Sequence, residues 1–213
     1  MTTDSHALTT TTEHSPVAGL AHDDRGISNV VLGMLLFITS EVMFFAGLFA
    51  AYFNVRANAP QWPPINPETG DPFHLSILPL VGPATVLLIL SSFTCQIAVW
   101  AVRRGDRTAF LRNIGVTFAI GVVFLIMQAI DYAILAGEGI TLSAGTFGTT
   151  YFTLTGFHGA HVFAGVIMLA VVVYRGMAGQ FSAKHHDMVE ATSLYWHFVD
   201  VVWILLFSIL YLL

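Results

Sequence analysis

One carboxylate in this sequence lies where carboxylates are costly. Glu41 falls at the midpoint of the apolar run Val30–Phe53, which is long enough to cross a bilayer as a helix. A charge at that depth costs roughly 2.5 to 3.5 kcal/mol on insertion scales, so it faces protein, finds a partner or carries a proton. Candidate partners stand in later apolar runs. His158 and His161, three residues apart, share a helical face flanked by Gly156, Gly159 and Gly165. His161 lies at about the depth of Glu41. His197 and Asp200 stand one turn apart in the last run, spaced to satisfy each other. Gln128, Asp131, Tyr132 and Leu135 share a face of the third run, with Asp131 roughly 7 Å from the outer end at 1.5 Å per residue.

These residues suit three kinds of chemistry. A metal site would draw its ligands from His158 and His161 with Glu41 as the third. Haem or copper needs several ligands from facing helices, and no further His or thiolate lies at matching depth. Proton handling through Glu41 and Asp131 is the second reading. The third is a hydrogen-bonded packing cluster of Glu41, His158 and His161. The acids Glu41, Asp131 and Asp200 sit at three depths and make no ladder. No phosphate-cradling Gly-rich loop follows a strand, and no Ser, His and acid set marks a nucleophile.

The elements that must position these groups follow from composition. With 213 residues, 55% hydrophobic and 10% charged, the chain lacks the charged share, near a quarter, of a soluble domain. It reads as an all-α polytopic membrane protein. Five runs are long enough to span: 30–53, 75–102, 114–136, 149–174 and 190–213. Residues 1–26 have no basic leader with a short apolar core and read as a disordered tail carrying His6, His14 and His22; residues 27–213 form the membrane domain. The net charge of −5 on so sparsely charged a chain, with no Lys/Arg cluster, argues against nucleic acid. Cys95 is the single cysteine, so there is no disulfide framework.

Small residues recur every seven positions in the first run, at Gly33, Ser40 and Gly47, a stripe where another helix can approach closely. The connection after it, with Pro60, Trp62, Pro63, Pro64, Pro67, Gly70 and Pro72, reads as a stiff cap at the headgroup level. Ser91, Ser92, Thr94, Cys95 and Gln96 in the second run read as helix-packing residues, and Tyr195 and Trp196 as an interfacial belt. Of the eight basic residues, Arg25, Arg103, Arg104, Arg107, Arg112, Arg175 and Lys184 fall on one side of the five-span topology and Arg56 alone on the other. The positive-inside rule then puts the N-terminus in the cytoplasm and the C-terminus outside.

Four strings carry a resemblance. Ser40-Glu41-Val42-Met43-Phe44-Phe45-Ala46-Gly47-Leu48-Phe49, Ser91-Ser92-Phe93-Thr94, Thr155-Gly156-Phe157-His158-Gly159-Ala160-His161-Val162 and Tyr195-Trp196-His197-Phe198-Val199-Asp200-Val201-Val202-Trp203, in that order and on separate spans, are similar to subunit III of haem-copper terminal oxidases. From about Ile27 to Leu213 the chain resembles the short five-helix bacterial form of cytochrome c oxidase subunit III. The resemblance implies an accessory subunit of a proton-pumping oxidase in the bacterial inner membrane. Such a subunit has no catalytic, cofactor-binding or metal-ligating residue of its own. Haem and copper then belong to partner subunits, with subunit I in direct contact and subunit II in the same complex. A bound phospholipid and, in some cases, a larger respiratory assembly are also implied. Glu41 matches the family's carbodiimide-reactive carboxylate, and His158 and His161 its His pair. Asp131 stands where many relatives have Glu, and Glu41 where some quinol-oxidase relatives have Asp. A quinol oxidase or a nitric-oxide-reductase-associated homologue is the neighbouring reading. A stand-alone proton channel is the alternative of another class.

Overall fold

The computed structural model describes residues 28–65, 80–143 and 145–212. The expected tail 1–26, together with Pro67, Gly70, Pro72 and the first five residues of the expected second span, lies outside the described residues. Five helices follow one another: α1 (Asn29–Asn58), α2 (Gly82–Arg103), α3 (Arg107–Gly137), α4 (Thr146–Met177) and α5 (Asp187–Phe207), the last continued by a π-helical turn over Ser208–Leu212. All five are long and apolar enough to cross a membrane, and no strand occurs among the described residues. In hydrocarbon a helix satisfies its own backbone, so this is the structure that so apolar a sequence can adopt there. α3 begins seven residues before the expected span because Asp106 caps it at Arg107 and the mixed stretch Arg107 to Asn113, with Phe110 buried, continues the helix beyond the apolar run.

The turns are built from local chemistry. After α2, Gly105 takes φ +75°, the left-handed conformation that glycine adopts without strain. The Gly105 N–H reaches Val102 O at 3.0 Å and the Asp106 N–H reaches Ala101 O at 2.9 Å, the paired bonds of a Schellman closure. Asp106 then caps α3, its Oδ1 accepting from the Ala109 N–H at 2.9 Å. Gly139 and Gly179 end α3 and α4 with the same two bonds. Pro83 sits in the first turn of α2, where its missing N–H leaves no gap. Asp106→Ala removes the cap and is expected to cost about 0.5 to 2 kcal/mol, read as a lowered melting midpoint of the detergent-solubilised protein. No change in the midpoint would count against the capping role.

α5 is the element the bundle is assembled on, packing against α1, α2 and α4, while α3 packs between α2 and α4. Trp196 and Trp203 of α5 are fully buried, and Tyr195 is 3% exposed. The expected interfacial belt is therefore a core. The reason lies on neighbouring helices: Gly121 of α3 and Gly165 of α4 leave notches into which the Trp196 ring fits, so close that a Cβ at either would stand 2.7 and 2.9 Å from it. Its Nε1–H donates to Ser91 Oγ of α2 at 2.9 Å.

α1 is the outlying helix, burying fully only Phe45 and Tyr52. A Cβ added at Gly33 or Gly47 would meet nothing within 4 Å. The Gly33, Ser40, Gly47 stripe is thus not the packing seam expected of it; the aromatic side chains of the opposite flank make the contact instead. Trp62 closes one end of the bundle edge-on to Tyr52 and Phe147, at 5.6 and 5.0 Å between centroids. At the other end Arg103 pairs with Glu190 at 2.8 Å and Arg107 donates to Met177 O at 2.6 Å. The α2–α3 and α4–α5 connections, with most of the basic residues, therefore share one end of the bundle.

Candidate functional site

The two histidines that share a face in the sequence part company in the structure. His161 turns toward α1, and its Nε2 lies 2.9 Å from Glu41 Oε2, with side chains 15% and 19% exposed. His158 turns inward instead. It is fully buried, stacked on Trp203 at 4.9 Å and edge-on to Phe124 at 6.1 Å, and neither ring nitrogen has a hydrogen-bond partner. The expected cluster of Glu41, His158 and His161 is corrected to a pair, Glu41 with His161. Positions three apart differ by 60° around a helix, and that angle suffices to send one ring to α1 and the other into the space between α3 and α5.

Hydrogen-bond direction fixes how many protons the pair holds. His161 Nδ1 lies 2.7 Å from Phe157 O, one turn earlier, and a carbonyl only accepts, so Nδ1 carries a hydrogen. The Nε2 to Oε2 contact then needs one proton: an imidazolium facing a carboxylate, or a neutral imidazole accepting from a carboxylic acid. Both forms are net neutral. That neutrality is how a carboxyl group is tolerated at the middle of α1. Phe44 stacks on the His161 ring at 6.3 Å and Phe45 meets its edge at 5.0 Å, so the pair sits behind aromatic side chains.

The remaining polar residues form two further groups. Ser92 Oγ donates to Asp200 Oδ2 and lies 3.0 Å from His197 Nδ1, while His197 Nε2 lies 3.3 Å from Gln96 Oε1. His197 and Asp200 are therefore joined through Ser92 of α2 rather than directly. Toward the other end Tyr211 Oη lies 2.6 Å from Tyr151 Oη, which donates to Asp131 Oδ2 at 3.1 Å, and Tyr132 donates to Thr155 at 2.8 Å. Gln128 and Asp131 line a cavity of about 10 Å³ beside Phe124 and Trp203. Sequence reasoning missed the tyrosine pair. Tyr211, which lies in the π-helical turn, meets Tyr151 directly and is joined to Asp131 through it.

Among the described residues no three His, Cys, Asp or Glu side chains converge as a metal site would require. With His158 and His161 facing different helices, the donor set does not fit haem iron or copper. His158 suggests an inexpensive test. A buried imidazole with no partner carries an uncompensated desolvation penalty of about 1 to 3 kcal/mol, so His158→Leu is expected to raise the melting midpoint. A lowered midpoint would show that the ring is satisfied by an internal water or that its packing against Trp203 and Phe124 outweighs the unmet nitrogens.

The family model described as cytochrome c oxidase subunit III matches residues 13–213, nearly the whole of the fold and both ends of the Glu41–His161 pair. The chain belongs to that family. It is 37% identical over 201 residues to a probable cytochrome c oxidase subunit 3 of Mycobacterium tuberculosis strain H37Rv, covering 94% of this chain and 96% of that one. Its identity to cytochrome c oxidase subunit 3 of Corynebacterium diphtheriae is 40% over 182 residues, 85% of this chain and 87% of the relative. To that of Synechocystis sp. strain PCC 6803 it is 37% over 209 residues, 97% and 86% of the two chains. The chain is thus an accessory subunit of a haem-copper oxidase and a multi-pass membrane protein, and it works beside other oxidase subunits.

Proposed function

We propose that this chain is a subunit without a redox centre that docks directly on haem-bearing subunit I, with subunit II in the same complex. It steadies proton uptake and turnover of a proton-pumping cytochrome c oxidase in the bacterial inner membrane. Haem and copper lie in the partners, and phospholipid is held on the exposed flank of α1. The single observation that carries this reading is the Glu41–His161 pair. It is a charge-neutral, aromatic-shielded link that ties α1 to α4, and it supplies one shared proton where a metal site would need converging lone pairs. Beside it α1 leaves Met43 and Leu36 73% and 66% exposed, an apolar surface suited to acyl chains. The basic end of the bundle faces the cytoplasm by the positive-inside rule, which puts the N-terminus inside.

Gentle solubilisation tests this directly. The chain is expected to migrate with a haem-bearing large subunit. Glu41→Gln is expected to leave haem absorption unchanged while shortening the turnover lifetime and lowering the phospholipid retained per complex. Loss of a haem or copper signal from a fully assembled Glu41→Gln complex would overturn the reading. So would proton flux through this chain alone in liposomes that Glu41→Gln abolishes, the signature of a stand-alone channel.

A further inference from the structure

The outward strips of the bundle are chemically unequal. On α3 the outward residues from Val116 through Val123, Ile126 and Ile130 to Ile134 are exposed and apolar, as suits a surface against lipid. On α2 the outward strip at helical spacing runs through Ile89, Phe93, Gln96 and Trp100, and on α5 through His197, Val201, Ile204 and Leu205. Phe93 is 63% exposed and Val201 56%. Between these apolar residues, at mid-length of both helices, stand half-buried Ser92, Gln96 and His197, backed by buried Asp200. Ser92 is occupied by His197 and Asp200, and His197 by Ser92 on one ring nitrogen and Gln96 on the other. Gln96 is only half occupied. Its one contact is a single amide atom against His197 Nε2, so whichever way the amide is turned, its other polar atom is left toward the outside. An amide edge facing hydrocarbon lacks a partner, and acyl chains cannot supply one, whereas a neighbouring helix can.

We infer that the seam between α2 and α5, centred on Gln96 and His197 and flanked by Phe93 and Val201, is the face on which this chain receives a transmembrane helix of another oxidase subunit that offers a hydrogen-bonding side chain, a hydroxyl or a carboxamide, at the level of Gln96 and His197. The inference rests on membership of an oxidase complex and adds the face and the chemistry of its partner. The Glu41–His161 pair is less suited to this role, because one proton joins its two side chains directly and Phe44 and Phe45 pack on the imidazole.

A photoreactive benzoylphenylalanine introduced at Phe93 or at Val201, and at Ile126 as the comparison, tests the face when irradiated in intact membranes before solubilisation. Positions 93 and 201 are expected to give an adduct with a membrane-spanning oxidase subunit, and position 126 with lipid alone. Gln96→Leu keeps the Ser92, His197 and Asp200 contacts and removes the outward amide. It is expected to raise release of this chain from the haem-bearing subunit in a detergent titration by about three- to ten-fold. Adducts from 93 and 201 with lipid alone, or with a second copy of this chain, overturn the inference. So do equal oxidase adducts from position 126, or unchanged release of Gln96→Leu. If the chain still purifies with the haem-bearing subunit in those cases, only the docking face is wrong. Purification without any haem-bearing subunit sinks the functional reading as well.

Discussion

Trp196→Ala is expected to be the most damaging single substitution in the chain, at about 3 to 5 kcal/mol for loss of a fully buried Trp. The magnitude follows from position rather than from size alone. One indole fills the notches at Gly121 and Gly165 and hydrogen-bonds Ser91, so it touches α2, α3 and α4 from α5. Its removal leaves a cavity at the junction of four helices and strands the Ser91 hydroxyl with one bond fewer. The converse substitutions make the claim specific. Gly121→Ala and Gly165→Ala place a methyl group 2.7 and 2.9 Å from the ring, and overpacking of that kind costs about 1 to 3 kcal/mol. Gly33→Ala, on the open flank of α1, is expected to change little. Melting of the detergent-solubilised complex, followed through loss of this chain, reads all four. If Trp196→Ala melted with Gly33→Ala, the account of α5 as the organising helix would be wrong.

That arrangement explains what could and could not be read from the sequence. The five spans, the depth of Glu41 and its match with a histidine of the fourth span followed from hydropathy and a rise of 1.5 Å per residue. Which histidine it meets did not follow. Spacing places His158 and His161 on one face, and only the position of Trp203, held by its Nε1–H to Thr85 at 2.9 Å, reserves the inner side for His158. Trp196 resembled a belt residue because it stands near the start of its span; its notches lie on two other helices, at separations no local pattern encodes. The Gly33, Ser40, Gly47 stripe had the right period for close packing and faces none of the described helices closely. Small residues permit an approach without compelling one. Ser92 and Gln96 were legible as packing residues, and the Ser92 bridge between His197 and Asp200 was not, since it joins positions more than a hundred residues apart.

The pair at the centre of the site gives the second large effect, and a sign that a bare count of ion pairs would miss. His161→Leu leaves Glu41 in the middle of α1 with no imidazole to share a proton. Breaking a buried pair from one side costs about 3 to 5 kcal/mol; with the Glu41 side chain 19% exposed, the lower end of that range is expected. Glu41→Leu alone strands a polar ring that keeps its Phe157 carbonyl bond, so its cost is nearer the 1 to 3 kcal/mol of one unmet polar group. The double variant Glu41→Leu, His161→Leu removes both demands and replaces them by apolar contact with Phe44 and Phe45. Its stability is expected to fall within about 1 kcal/mol of the unsubstituted chain, because buried pairs exchanged for well-packed apolar residues are often neutral or stabilising. The coupling in this cycle is therefore large, while the net contribution of the pair is small. A double variant that restores stability but still shortens turnover lifetime separates the two roles of the pair, showing that the shared proton serves the oxidase and not the fold. A double variant as unstable as His161→Leu alone would show that the pair contributes to folding through something other than mutual neutralisation.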